Sequence, residues 1–195
     1  LSSWALFITK PSDLGYDDTG YDLPPLKINY HKLSDSGVTV DRDGQFELTR
    51  DLALSLSECA AEKRNSIDRR VAVAKSIIDS EPDNNFIIWH DLEAERHAIK
   101  KAIPNVVDIY GSQDYDLREK RVIDFSNGKT RLFATKKELS GSGCNFQKHC
   151  HRAIFLGIDY EFNDFIQAVH RIYRFLQTEQ VVIDIILTEN EEGIL

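Results

Sequence analysis

The chain has no methionine, only three cysteines and no long apolar run. Cys59, Cys144 and Cys150 form no disulfide pattern, which favours a reducing compartment, so we expect a cytoplasmic protein of a bacterial or phage-infected cell. No stretch approaches the roughly 20 apolar residues of a membrane-spanning helix, and no signal peptide is apparent, so we expect no membrane partner. Because methionine is absent, we expect the chain to be part of a longer protein.

Motifs that would complete a nucleotide or metal site are also missing. The sequence contains no Gly-x-x-x-x-Gly-Lys-Ser/Thr, which excludes a P-loop, and no acidic pair follows a strand as a magnesium-binding Asp-Glu does. The segment "CNFQKHCH" (144–151) concentrates cysteine and histidine, but consecutive residues of an extended segment point to opposite sides. Buried free thiols explain this segment better than zinc, and we predict no metal site.

Acidic residues are scarce in one stretch of an otherwise acidic chain. The net charge is −8, yet residues 118–152 hold nine Lys or Arg against three acids. A local basic surface on an acidic body is typical of a protein that follows a phosphate backbone. Chance clustering explains the same numbers equally well.

Short apolar strands alternate with amphipathic helices from about residue 83 onwards. This alternation predicts an α/β fold with a mainly parallel sheet covered by helices on both faces. Residues 1–46 are predicted to be an extended arm with a hairpin near Asp43, and 47–82 a helical segment broken near Ser66. The predicted strands are 86–90, 106–110, 131–135, 152–158 and 181–188, and the predicted helices are 92–103, 115–126 and 162–176.

In parallel sheets, ligands bind beyond the carboxyl ends of the strands, so the loops there are candidate sites. Residues 134–147 form one such loop, in which Gly141 and Gly143 would allow close approach, while Thr135 and Lys136 could donate to phosphate. A surface loop without a ligand is the alternative. After the second strand, Ser112 and Gln113 could also bind phosphate, although Asp114 could simply cap the next helix.

The segment "QAVHRIYRFLQ" (167–177) has two faces if it is helical. One face is apolar, and the other presents Gln167, His170, Arg171 and Arg174. Two arginines three residues apart suit bidentate recognition of phosphate oxygens, whereas a purely solvated face is the alternative.

Taken together, these segments resemble a known family. "SGSGCNFQ" followed by "RAIFLGI" and Gln-x-x-x-Arg-x-x-Arg-x-x-Gln is similar to motifs V and VI of superfamily 2 helicases, closest to Swi/Snf-type DNA translocases. "FIIWHDLEAERHAIKKAIP" is similar to the motif IV strand and helix, and "YGSQ" to the family's Gly-Ser segment. The resemblance covers about residues 84–190. It implies that 83–195 form the second RecA-like lobe, a three-layer domain, of a phage- or prophage-type helicase.

The family's mechanism assigns roles to particular residues. ATP and Mg²⁺ would be bound mainly by a first lobe, whose end and linker correspond to the arm. The other partner would be the DNA backbone, without sequence specificity. A non-catalytic nucleic-acid-binding module and an unrelated α/β enzyme are the alternative functions. The resemblance implies catalytic Arg171, Arg174 and Gln167, nucleotide-binding Gly143, Asn145 and Gln177, and DNA-binding Ser112, Gln113, Thr135, Lys136 and Lys137.

Overall fold

The apolar runs of the sequence form a six-stranded sheet in which every neighbouring pair is parallel. The computed structural model describes residues 10–34, 56–139, 144–158, 162–189 and 191, with side chains in the long helix from residue 63 onwards. The strand order is β1-β6-β5-β2-β4-β3. The strands are β1 (Lys27–Leu33), β2 (Phe86–Trp89), β3 (Val107–Asp108), β4 (Leu132–Thr135), β5 (Arg152–Phe155) and β6 (Val182–Thr188).

In the described residues, four α-helices and a short 3-10 turn accompany the strands. The turn is Pro11–Leu14, and the helices are α1 (Leu56–Ser80), α2 (Glu93–Ala102), α3 (Tyr115–Ser126) and α4 (Phe162–Val169). Asp114 caps α3, because its Oδ1 accepts from the backbone N–H of Leu117 at 3.0 Å. The capping function that the sequence left open for Asp114 is therefore confirmed.

The core lies on both faces of the sheet, as strand alternation requires. On β2, Ile87 packs on one face with side chains of α3 and α4, while the adjacent Ile88 packs on the other face with α1 and α2. Because both faces are covered, the central strands can be continuously apolar. The predicted three-layer α/β architecture with a parallel sheet is confirmed.

One side chain connects α1 to the carboxyl ends of two strands. Arg70 is fully buried, and its Nη1 donates to the carbonyl oxygens of Leu156 at 2.8 Å and Ile186 at 2.7 Å. Its Nη2 pairs with the buried carboxylate of Glu191 at 2.6 Å. α1 is thus fixed to the sheet by polar contacts as well as by its apolar face.

The prediction of an irregular arm up to residue 46 is wrong for β1. Lys27–Leu33 pairs in parallel with β6 over seven residues at the edge of the sheet. Its outer side stays exposed at Ile28 and Tyr30, so the strand lacks the continuous apolar run of the central strands. The predicted hairpin near Asp43 lies outside the described residues.

Two predicted helix boundaries are also wrong. α1 continues through Ser66, which is buried and accepts from Arg70 Nε at 2.7 Å instead of capping a new helix. α4 ends at Val169 and not at residue 176. Beyond it, the carbonyl of Arg171 accepts from the backbone N–H of Phe146 at 3.0 Å, so a neighbouring segment takes a bond that a helix would make internally.

Candidate functional site

A cleft opens at the carboxyl ends of β2, β3 and β4, where the parallel sheet predicts a ligand site. Its volume is about 510 Å³. Two of the predicted DNA-binding residues, Ser112 and Lys136, line it. The other lining residues are Glu93, Arg96, Tyr110, Gly111, Glu138 and Leu139.

Charges of both signs meet in this cleft. Arg96 pairs with Glu93 at 2.7 Å and with Asp108 at 2.9 Å, and its guanidinium lies 4.3 Å from the centre of the Tyr110 ring. The hydrogen bond from Arg96 holds the pKa of Glu93 below its usual range. Lys136 lies 4.0 Å from Glu93, at the limit of an ion pair, and keeps about a quarter of its side chain exposed. The cleft therefore combines one partly exposed ammonium, that of Lys136, with the guanidinium of Arg96, which carboxylates pair with on two sides.

Three predicted DNA-binding residues are positioned less favourably for contact with a backbone phosphate. Thr135 is buried, and its hydroxyl donates to the carbonyl of Lys136 at 3.1 Å. The side chain of Lys137 is only 5% exposed and pairs with Asp91 at 3.2 Å. Gln113 is half-buried, with no hydrogen-bond partner for its Oε1 among the described residues. Of the five predicted residues, Ser112 and Lys136 therefore have the most suitable positions.

Two titratable groups follow β2 directly beside this cleft. His90 is buried, and burial lowers its pKa to about 4; neither ring nitrogen has a hydrogen-bond partner within the described ranges. Burial alone would raise the pKa of Asp91, but the adjacent ammonium groups of Lys63 and Lys137 outweigh it and lower that pKa. At neutral pH the pair is therefore an uncharged imidazole next to a carboxylate.

The predicted arginines lie elsewhere, in the segment 170–177 between α4 and β6, here called the arginine loop. Arg171 and Arg174 are half-buried, and Arg174 Nη1 donates to Asn145 Oδ1. In the part of the chain that the structure describes, no carboxylate pairs with either guanidinium. Neither arginine lines the cleft. The structure thus brings Arg174 and Asn145 together and keeps the arginine loop distinct from the cleft.

The last glutamine of the motif has a structural position. Gln177 is buried, and its Nε2 donates to the carbonyls of Gln147 and Ile172, both at 3.0 Å, and of Cys150 at 3.3 Å. Its Oε1 accepts from the backbone N–H of Glu179 at 2.9 Å. Gln177 therefore joins the arginine loop to residues 147–150, and its role in nucleotide binding stays a prediction.

The remaining predicted residues contribute less to the site. Gln167 is exposed on α4. Gly143, with Gly141, lies outside the described residues. Arg96 and Tyr110 line the cleft but were not among the predicted residues. Their positions in the chain are the signal that could have identified them. Arg96 lies in the first turn of α2, which follows β2, and Tyr110 lies just after β3, so both follow strands whose carboxyl ends form the site.

The described residues offer neither a metal-binding cluster nor a membrane-spanning helix. No cluster of three or more His, Cys, Asp or Glu could hold a metal ion among them. None of their helices is both long and apolar enough to cross a membrane. In the segment 144–151, burial raises the pKa of Cys144, and it raises the pKa of Cys150 to about 12, so both thiols stay protonated at neutral pH.

The sheet and its helices are similar to solved structures of an ATPase-domain fragment and of a DEAD-box protein. One is the C-terminal part of the Fun30 ATPase domain, with a TM-score of 0.57 and 18% identity over 64% of this chain and 43% of that chain. Another is the Escherichia coli DEAD-box protein SrmB bound to the regulator of ribonuclease activity A, with a TM-score of 0.55 and 9% identity over 66% of this chain and 76% of that one. No protein-family model and no curated protein matches the sequence. The chain therefore has the RecA-like fold that these proteins contain, and it spans less than half of the Fun30 fragment.

Proposed function

We propose that this chain is the second motor lobe of an ATP-dependent DNA helicase or translocase of the Swi/Snf type. The observation that carries the proposal is the exposure of two arginines and their lack of an acidic partner among the described residues. Arg171 and Arg174 are half-exposed, and in the described ranges no carboxylate neutralises them, so both keep their charge for an anion. The RecA-like fold supports this proposal, because the matched structures include an ATPase-domain fragment and a DEAD-box protein.

The anion that suits these arginines is the triphosphate of ATP. A guanidinium donates two parallel hydrogen bonds to phosphate oxygens, and this contact gains strength as negative charge develops during phosphoryl transfer. Arg174 would contact the γ-phosphate, with Arg171 beside it and Gln167 orienting them. Asn145 holds Arg174 and would relay its position to the loop that contains Gly143. Mg²⁺, bound with the triphosphate to a first lobe, would neutralise phosphate oxygens.

The cleft at the carboxyl ends of β2, β3 and β4 would bind the DNA backbone. Ser112 and Lys136 offer a hydroxyl and a partly exposed ammonium there, whereas Arg96 is paired with Glu93 and Asp108. Contacts of this kind track phosphates without recognising sequence. The other three predicted residues would mainly stabilise the walls of the cleft and would contact DNA less; they are Gln113, Thr135 and Lys137.

The organisation of the intact protein belongs to the same proposal. Residues 1–46 would lead from a first lobe, 47–82 would precede the lobe, and 83–195 would form its main body. We also propose that the intact protein is cytoplasmic and of the phage or prophage type. β1 is a strand of the sheet and α1 packs on it, so the lobe would also include parts of the first two segments.

Steady-state ATP hydrolysis by the intact protein tests the arginine assignment. We expect Arg174→Ala to lower kcat by about a thousandfold or more, because an arginine finger acts on the transition state, while nucleotide binding is largely retained. Arg64→Ala, at an exposed arginine of α1, is the matched control and should hydrolyse ATP normally. Normal turnover by Arg174→Ala would refute the assignment. DNA binding by a wild-type protein without any hydrolysis would favour the non-catalytic module.

A further inference from the structure

The arginine loop has a contact that no motif predicts. The ring of Tyr21 packs at a tilt against the ring of Phe175, the residue after Arg174, with ring centroids 4.5 Å apart and an angle of 36° between the ring planes. The backbone N–H of Leu176 donates to the carbonyl of Gly20 at 3.3 Å. The segment that precedes β1 thus touches the arginine loop through a side chain and through its backbone.

This arm segment is a defined turn and not a loose tail. Residues 18–21, here called the arm turn, are closed by a 2.8 Å hydrogen bond from the backbone N–H of Tyr21 to the carbonyl of Asp18. The carboxylate of Asp18 accepts from the backbone N–H of Ser12 at 2.8 Å and pairs with Lys10 at 3.2 Å. Six residues after Tyr21, β1 enters the sheet beside β6. The arm turn is therefore held from both sides.

Gly20 fits this contact because it has no side chain. Its φ is +82°, and a Cβ built there would lie 2.9 Å from Phe175 Cε2, closer than carbon atoms can approach. Opposite it, Leu176 has a φ of 68°, a left-handed conformation that is unfavourable for a residue other than glycine. The carbonyl of Gly20 accepts from that residue, so the arm turn helps to stabilise an unfavourable backbone conformation two residues from Arg174.

From the other side, the arginine loop is held by residues 145–150. Asn145 accepts from Arg174, and Gln147 donates through Nε2 to the carbonyl of Phe175 at 3.4 Å. The loop therefore lies between this segment and the arm turn. Removing the arm turn would leave Arg174 attached on one side only.

We propose that Tyr21 and Gly20 are positioning residues for Arg174, so that the arm that leads into β1 sets the place of the arginine. This inference rests on the proposed function, in which Arg174 contacts a triphosphate. It assigns the arm a second role beyond connection, because a displacement of the arm turn would move the arginine with it. A shift of about 1 Å in a catalytic group can cost about a hundredfold in rate.

The first test measures the contact itself in this chain, without nucleotide. Trypsin cleaves after arginine, so the rate of cleavage after Arg174 reports how firmly the arginine loop is held. We expect Tyr21→Ala to raise that rate several-fold and Tyr21→Phe to restore it, because the ring makes the contact. Tyr16→Ala, at an exposed tyrosine of the same arm, is the control and should cleave like the wild type. Equal rates for Tyr21→Ala and the wild type would overturn the contact.

The second test measures ATP hydrolysis by the intact protein with the same variants. We expect Tyr21→Ala to lower kcat about tenfold to a hundredfold with KM unchanged, and Tyr21→Phe to recover it. Gly20→Ala should act in the same way from the backbone side, since its Cβ displaces Phe175. If Arg174→Ala abolishes turnover while Tyr21→Ala and Gly20→Ala do not slow it, the positioning role is wrong and the motor assignment stands. If Arg174→Ala turns over normally, the proposed function fails, whatever trypsin shows.

Discussion

Two groups of cations in this chain differ in what neutralises them. Arg70, Arg152 and Lys63 are buried, and each pairs with a carboxylate within the domain. Arg171 and Arg174 are half-exposed, and in the part of the chain that the structure describes neither has a carboxylate partner. The first group joins elements of the fold, whereas the second keeps its charge available. Partner and burial, more than residue type, therefore separate structural cations from candidate functional ones.

Desolvation explains the difference. A buried ion loses several kcal/mol of hydration, which only a well-placed opposite charge and further hydrogen bonds compensate. Arg70 has both. It donates to two backbone carbonyls and to the hydroxyl of Ser66, and it pairs with the carboxylate of Glu191. A half-exposed guanidinium keeps part of its hydration and needs no such partner. It therefore remains available to bind a phosphate, provided that the arginine loop is held in place.

The comparison predicts the largest effect at Arg70. Arg70→Ala should lower the free energy of unfolding by about 3–5 kcal/mol, because it leaves the carboxylate of Glu191 buried without its partner. Denaturant unfolding of this chain measures the loss. Lys75→Ala removes an exposed pair with Asp79 and should change stability by less than about 1 kcal/mol. Similar losses for the two variants would contradict the distinction between buried and exposed pairs.

His90 extends the comparison to a buried group that stays uncharged. Its folded-state pKa of about 4, lowered by burial, is below the value of about 6.5 in an unfolded chain. Between these values the unfolded chain binds a proton that the folded chain does not. The contribution of His90 to the free energy of unfolding is therefore complete above about pH 6.5. It is lost as the pH falls towards 4, by about 3 kcal/mol in total.

Unfolding measured between pH 4 and pH 7 tests this contribution. His90→Gln should flatten the pH dependence of the free energy of unfolding by that amount, because glutamine does not titrate. His97→Gln, at an exposed position on α2, controls for the loss of an imidazole. Asp91 and His151, whose pKa values are also lowered, remain in both variants, so the difference isolates His90. An unchanged slope in His90→Gln would show that its burial does not control protonation.

The sequence was sufficient for the central strands and for the order of the elements. β2, β4 and β5 are mostly apolar and buried along their whole length, and such runs between amphipathic helices allow few structures other than a covered parallel sheet. It was insufficient where tertiary contacts decide. β1 becomes a strand because β6 offers its edge, and α4 ends early because Phe146 binds the carbonyl of Arg171.

The site was predicted in the same uneven way. Residue type and spacing pointed to Arg174, the family resemblance added Asn145, and the structure brings these two together. The spacing did not distinguish Gln177, whose buried amide serves backbone carbonyls, from Gln167, which is exposed. Nor could it reveal Tyr21, which is 154 residues from Phe175 and meets it only because β1 joins the sheet. Contacts between distant segments leave no local pattern.

Lys136 and Lys137 are neighbours in the chain whose side chains differ in exposure and in partner. They therefore test the comparison between structural and functional cations with the smallest expected effects. Lys136 lines the cleft, whereas Lys137 is buried against Asp91. If the cleft binds DNA, Lys136→Ala should reduce the slope of log affinity against log salt by about 1, because one phosphate contact is lost. Fluorescence anisotropy of labelled duplex DNA over a salt series measures this slope.

Lys137→Ala should leave the salt dependence of DNA binding unchanged and instead lower the free energy of unfolding by about 1–3 kcal/mol, since the half-buried carboxylate of Asp91 loses a partner. Lys63 still pairs with that carboxylate in the variant, so the loss should be smaller than that of Arg70→Ala. The reverse result, with the DNA slope altered by Lys137→Ala and not by Lys136→Ala, would mean that Lys137 leaves Asp91 when DNA binds. Burial in the free chain would then be a poor guide to which cations are functional.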